Sequence, residues 1–298
     1  MRQHTFGQRK EALLFILPLA LFLGVFVLTP VAGTIIGGMF RDTTFLKKEF
    51  IFLDNYRTLF ADAAFRQSFR FTLLFVAVSV PLELALGTVF ALLVNQPPVR
   101  FRTALRVSVL IPWAIPAAIS GRIWELIYNY NFGLANYLLS ALGIRSEPVN
   151  WLGNDMSAFF SLVAADAWKT TPFMAIILLA GLQAIPTELY QQAEIDGAGF
   201  LKRFIRVTLP ILKPVMVVAL VFRTIDAIRI FDIVYVITHG GPGGSTSSLS
   251  LYAYKYFLAG DFGYGSAVSF ILFLTALGLS LIYINLGAFR KEFRKELP

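Results

Sequence analysis

Ionisable side chains interrupt the apolar runs of this sequence at four places, and each is a place where chemistry could be done. Glu83 stands alone in "VPLELALGTV", Arg122 and Glu125 are three apart, and so are Asp166 and Lys169. Arg223, Asp226, Arg229 and Asp232 repeat the same spacing. A charge in an apolar medium is costly, so such residues either neutralise one another or face water and handle a polar solute. Spacing of three suits pairing on one helix face, which predicts the pairs Arg122 with Glu125 and Asp166 with Lys169. The series from Arg223 to Asp232 drifts by about 180° round a helix of roughly 3.6 residues per turn, so no single face is expected to hold all four. The functional alternative to structural pairing is a polar cavity in which a hydroxyl-rich solute replaces water. Such a site needs donors, acceptors and an aromatic face.

Other chemistries lack their residues. Cysteine is absent and only two histidines occur, so there is no disulfide framework, no thiolate metal site and no basis for metal or redox chemistry. The Gly-rich "HGGPGGSTSS" at 239–248 has no Lys after its glycines and cannot be a phosphate-cradling P-loop. Neither GxSxG nor HExxH is present. A catalytic set is not expected, and ATP hydrolysis would have to come from another polypeptide.

The elements that carry these residues follow from composition. The chain of 298 residues is 57% hydrophobic and 15% charged, with a mean hydropathy of +0.68; a soluble domain has about 45–50% and about 25%. A membrane protein is implied, and the net charge of +8 then speaks of topology rather than of a nucleic-acid partner. Runs at 12–40, 69–95, 103–128, 157–185, 209–238 and 263–289 each reach the roughly 20 residues that a crossing needs. They predict an all-α integral membrane protein with six transmembrane helices. The first run follows "MRQHTFGQRK", which resembles the n-region of a signal peptide, but it is too long and lacks a small-residue cleavage site, so a retained helix is expected.

Fourteen Lys and Arg residues fall in the tails and in the loops on the tails' side, against eight on the other. That bias places the tails 1–11 and 290–298 in the cytoplasm, around a six-helix transmembrane domain at 12–289. On the opposite side, "FLKKEFIFLDNYRTLFADAAFRQSF" reads as an interfacial segment and "NFGLANYLLSALG" as a short helix along the membrane, or both as plain surface connections.

One cytoplasmic loop, 186–210, is polar out of proportion to its neighbours. Thr187 is an acceptable N-cap, Glu188 suits a helix start and Gly197 can take the left-handed conformation that ends a helix, which predicts a helix over 188–196. Its polar surface and small Ala193, Gly197 and Ala198 fit the close approach of another protein. The basic, amphipathic "FLKRFIRVTLP" would then lie at an anionic surface until Pro210 and Pro214 open the next span. An ordinary amphipathic loop is the alternative.

The order Pro186, Leu189, Tyr190, Ala193, Asp196, Gly197, Ala198, Phe204, Leu209, Pro210 resembles the EAA loop of the permease subunits of bacterial ABC importers. "WKTTPFMAIILLAGLQAIP", "FRTIDAIRIFDIVYVITHGGP" and "LIPWAIP" are similar to carbohydrate importers of the maltose and trehalose type, first-permease kind, so the resemblance covers about 70–290. It implies a type I ABC importer permease fold in the cytoplasmic (inner) membrane. A coupling helix formed by Tyr190, Gln191, Gln192, Ala193, Glu194, Asp196, Gly197 and Ala198 would dock on a separate ATPase. The sequence departs from the pattern where Gln191, Gln192, Ala193 replace Glu-Ala-Ala. The resemblance also implies a second permease, a dimer of ATP-binding subunits that holds the ATP and Mg, an extracytoplasmic substrate-binding (lipo)protein and a sugar substrate, with no cofactor on this chain. Its cavity would be lined here by Lys169, Thr170, Phe173, Arg223, Asp226, Ala227 and Ile230. Two alternatives stand beside it: an ion-driven carrier or channel working alone, and an ABC permease for a solute other than sugar.

Overall fold

The structure, a computed structural model, describes residues 14–95 and 102–286. The tails 1–11 and 290–298, Arg100 and the side chains of Arg102 and Arg106 lie outside the described residues. Five described helices are long and apolar enough to cross a membrane, or up to six if one bent pair counts as a span. The chain divides into two units, Met1–Asp62 with Ala253–Ile271, and Ala63–Tyr252 with Leu272–Pro298.

In the first unit, α1 spans Leu14–Gly37 and none of its residues is buried by the chain. It contains a π-helical turn, Gly24–Leu28, where Thr29 Oγ1 donates to the Gly24 carbonyl at 2.9 Å. Residues 40–61 form an antiparallel pair, β1 (Phe40–Arg41) with β2 (Glu49–Phe50), and then α2 (Asp54–Ala61). Asn55 braces the compact turn: its Nδ2 donates to the carbonyls of Gly38 and Phe40 at 3.0 and 2.8 Å. Apart from this small hairpin the described residues are mostly helical, as expected.

The second unit is built on α3 (Ala63–Asn95), α4 (Arg102–Ala114), α5 (Ala117–Ile127), α6 (Leu134–Ala141) and α7 (Asp155–Gln183). The short α8 (Thr187–Ile195) follows. Then comes the long α9, which starts as Phe200–Arg203, passes through a π-helical turn at Phe204–Thr208 and continues as Leu209–Ile228. After a break comes α10 (Asp232–Ile237); α11 (Leu249–Leu258) and α12 (Phe262–Leu286) each pass from one unit into the other. Asn154 sets the start of α7, accepting from the Ser157 amide at 2.9 Å, with Asp155 in the first turn. The run expected at 103–128 is bent. Pro116, with ψ 141°, lies between α4 and α5, which meet at 97°. Proline has no amide to continue the helix and forces the preceding residue out of helical conformation.

The core of this unit is the seam between α3 and α7. Val76, Ser79, Val80, Glu83, Gly87 and Ala91 are buried at intervals of three and four along α3. Gly87 lets the two backbones meet: a Cβ there would come 2.7 Å from Met174 Cβ and 3.2 Å from the Ala175 amide nitrogen. Further along α7, Leu178, Leu182, Ile185 and Leu212 of α9 form an apolar cluster with Ala91, onto which Tyr190 of α8 packs.

A leucine at position 87 must push α3 off α7, because the obstacle is backbone. Gly87→Leu is expected to destabilise the folded chain by about 1–3 kcal/mol or more. The thermal midpoint of the purified variant in detergent checks this, with Gly24→Leu, whose surroundings are open, as the silent control.

Candidate functional site

Only some of the charges pair as their spacing suggests. Arg223, 1% exposed in its side chain, is the centre of a cluster that joins three helices. Its Nε and Nη2 donate to both carboxylate oxygens of Glu83 on α3, the Nη2 bond measuring 2.9 Å. Nη2 also donates to Asp166 on α7, and Nη1 to Asp226 on its own helix at 3.2 Å. The glutamate is wholly buried and Asp166 nearly so, whereas the Asp226 side chain is 62% exposed. Four of the roughly five N–H donors of a guanidinium are thus engaged, which fixes its plane and rotamer.

Asp166 therefore does not pair with Lys169. The ammonium turns to the break in the third apolar run, where Nζ donates to the carbonyls of Ile115 at 2.6 Å and Trp113 at 3.5 Å. A helix that stops leaves carbonyls without partners and a partial negative charge at its end, and a lysine satisfies both. The carboxylates of Asp226, Asp166 and Asp232 are near enough to act on its charge. The expected Arg122 with Glu125 pair does form, at 2.6 Å on the surface of α5.

A mixed aromatic and polar face lies beside Lys169. Trp113, half exposed, stacks on Phe173 with ring centroids 6.0 Å apart and planes 21° from parallel. Beyond it, α9 ends at Ile228 and α10 begins at Asp232, so the helical phase is reset and Asp226, Arg229 and Asp232 are all exposed. The reset defeats the even drift expected of an unbroken helix. Phe231 and Tyr235 stack in parallel, with centroids 5.4 Å apart. Of the expected cavity residues, Lys169 and Phe173 are partly exposed and Asp226 is exposed. Arg223, Thr170, Ala227 and Ile230 are buried within the chain. Trp113, Arg229, Asp232 and Tyr235 are exposed and were not singled out for it; the Pro116 break beside Trp113 was the available signal.

The polar loop is built much as its sequence suggests. α8 runs one residue longer at its start than expected, with Pro186 rather than Thr187 in the N-cap position and no side-chain cap. Gly197 has φ 70°, and the amides of Gly197 and Ala198 donate back to the carbonyls of Glu194 and Ala193 at 3.0 and 2.9 Å. This is the left-handed closure that glycine permits. Gln191, Gln192, Glu194, Asp196 and Gly197 are exposed, and Ala193 and Ala198 partly so. Tyr190 faces the other way: its hydroxyl is 3.0 Å from Thr208 Oγ1 and its ring packs on the cluster around Leu182 and Leu212. Arg203 reaches back to Glu194 at 3.6 Å.

Several apolar helices long enough to cross a membrane, gathered around a buried ionic knot, with a polar helix and corner exposed between two of them, define a multi-pass membrane protein of the permease class. The chain belongs to the family of binding-protein-dependent transport system inner membrane components, which matches residues 83–294. It is 51% identical to the trehalose/maltose transport system permease protein MalF of Thermococcus litoralis, over 96% of this chain and 97% of that one. It is 34% identical to the trehalose transport system permease protein SugA of Mycobacterium tuberculosis (strain H37Rv), over 94% and 89%. Its fold matches a chain of a bacterial alginate ABC transporter, crystallised with an alginate-bound periplasmic protein, with a TM-score of 0.82 over 98% of this chain and 99% of that one, at 22% identity.

Removing the guanidinium would leave two buried carboxylates without a counter-charge. Arg223→Met is expected to cost about 3–5 kcal/mol, whereas Arg203→Met, which breaks a pair exposed to solvent, should cost less than about 1 kcal/mol. Thermal unfolding in detergent separates the two.

Proposed function

We propose that this chain is the permease subunit of an ATP-driven importer that moves a di- or oligosaccharide of the trehalose or maltose kind into the cytoplasm by alternating access. The observation that carries the substrate class is the face beside Lys169. There an exposed aromatic ring, Trp113 on Phe173, adjoins an ammonium donor and the acceptor Asp226. A sugar presents an apolar face of C–H bonds ringed by hydroxyls, which is the complement of such a surface. Charges exposed along a membrane-spanning segment belong on water, not lipid, and a water-filled path between this chain and a second permease gives them that environment. The trehalose and maltose relatives support the same class.

The energy comes from a separate dimer of ATP-binding subunits, which carries the ATP and Mg, and the sugar is delivered by an extracytoplasmic binding protein. The coupling contact is the exposed side of α8 and its corner: Gln191, Gln192, Ala193, Glu194, Asp196, Gly197 and Ala198. Tyr190 belongs to this segment as its anchor, because its ring and hydroxyl are spent on Leu182, Leu212 and Thr208. The segments 1–11 and 290–298 are cytoplasmic tails on the side of α8, around a permease domain at 12–289.

Two outcomes are expected in proteoliposomes holding the whole transporter and its binding protein. Trp113→Ala should lower trehalose uptake about tenfold or more, as loss of a sugar-stacking ring would, and an unchanged uptake rate would remove the aromatic face from the site. Gln191→Ala with Asp196→Ala should abolish the rise in ATP hydrolysis that loaded binding protein causes, with the permease still present in the membrane. Wild-type stimulation in that double variant would mean that the loop is an ordinary surface connection.

A further inference from the structure

The acid in the Arg223 cluster exceeds what the fold requires. Glu83 and Asp166, both buried, already place two carboxylates on one guanidinium. Asp226 adds a third, in the last turn of α9, where the partial negative charge of a helix end disfavours an acid. Nothing buried is gained by it, because its side chain is 62% exposed. A carboxylate held at an unfavourable place and presented outward is explained by something that it meets outside the chain.

We propose that Arg223 is a positioning residue for sugar recognition: clamped from behind by Glu83 and Asp166, it fixes the direction in which Asp226 offers its free oxygen to the sugar's hydroxyls. This rests on the sugar-binding reading of the face that holds Trp113, Lys169 and Asp226. The guanidinium itself touches no substrate. Its Nε and Nη2 edges are held by carboxylates of α3 and α7, and only Nη1 reaches toward the exposed side, where it binds Asp226 Oδ2 at 3.2 Å. One carboxylate oxygen is thereby occupied and the other directed. Glu83, wholly buried, contributes to affinity through two side chains in series.

The charges near enough to interact with Asp226 lie on two helices. Arg223 is on its own helix, and Asp166 and Lys169 are on α7, with Lys169 also drawn by Asp232 of α10. Lys169 is tied to the Ile115 carbonyl, so the donor and the acceptor that a pair of neighbouring hydroxyls would meet are each fixed by the chain before the sugar arrives. Fixing polar groups in advance removes an ordering cost from binding.

The test is a double-mutant cycle on the assembled transporter without its binding protein, reading trehalose affinity by isothermal titration and thermal midpoint on the same samples. Asp226→Asn is expected to raise Kd about tenfold with the midpoint unchanged, the size of effect of losing a hydrogen bond to a charged group. Arg223→Lys, which keeps the buried charge but not the fork, should raise Kd by a similar factor alone and add nothing in the Asp226→Asn background. Glu83→Gln should behave like Arg223→Lys. If Arg223→Lys multiplies Kd by the same factor with or without Asp226→Asn, or lowers the midpoint with Kd unchanged, the positioning role is overturned while the site reading stands. If Asp226→Asn itself leaves Kd unchanged, both the positioning role and the placing of Asp226 in the sugar site are overturned.

Discussion

A guanidinium surrounded by apolar helices determines how this protein holds together. Charge buried away from water is tolerated only when it is paired and hydrogen-bonded, and Arg223 meets that condition by drawing one carboxylate from α3 and another from α7. The pairing specifies more than it stabilises. Apolar surfaces slide past one another at little cost inside a membrane, since lipid is as apolar as a neighbouring helix. Bidentate geometry does not slide. A shift of α3 by one turn, about 5.4 Å, would carry Glu83 out of reach of the fork and leave its buried carboxylate without a counter-charge, so the register of α3 against α7 and α9 is set at this point. Close contact along the seam, as where Gly87 meets Met174, is possible only in that register.

The second constraint is the break at Pro116. A bent span exposes carbonyls that a straight helix would have satisfied, and inside a membrane such groups are tolerated only where protein or water answers them. Lys169 answers them from α7, one turn beyond Asp166. The same helix therefore supplies an anion to the charge cluster and a cation to the broken span, and the two demands pull its polar residues in different directions. Trp113, at the lip of the break, is left half exposed over Phe173 as a result. A half-exposed aromatic surface beside the break thus accompanies the way the chain repairs its own irregularity.

What the sequence disclosed divides by distance along the chain. The corner at Gly197 was legible because its cause is local: one residue without a Cβ, in a left-handed conformation, closing a helix of nine residues. The pair Arg122 with Glu125 was legible for the same reason, with no competing partner to draw either away. The pairing of Asp166 with Lys169 was misread although the spacing is identical, because Arg223 and the Ile115 carbonyl, fifty-seven and fifty-four residues distant, compete for the two side chains. Spacing states which pairs are possible and tertiary neighbours decide which form. The series from Arg223 to Asp232 was read in part: no single face holds all four, since Arg223 is buried and the other three are exposed, but a uniform helix was assumed where the chain breaks at 229–231. The hairpin of β1 and β2 gave no periodic signal, being two residues on each strand.

The polar loop and the charge cluster are two ends of the same pair of helices. Asp166 and Leu182 lie sixteen residues apart on α7, a rise of about 24 Å at about 1.5 Å per residue. Thr208 and Arg223 mark a comparable interval on the long α9, which reaches the loop by way of its π-helical turn. Near the loop the two helices are tied by Leu178, Leu182 and Leu212, with Tyr190 wedged against them; at the other end they are tied by the guanidinium. A pair of rods fastened at both ends has little freedom to shear. A displacement of α8 would therefore carry α7 and α9 together, and with them α3, which the same arginine holds. The π-helical turn at Phe204–Thr208, an irregularity of a kind frequent at functional sites, interrupts α9 beside the loop. Fastening at both ends is the mechanical property that a chain driven from outside itself requires.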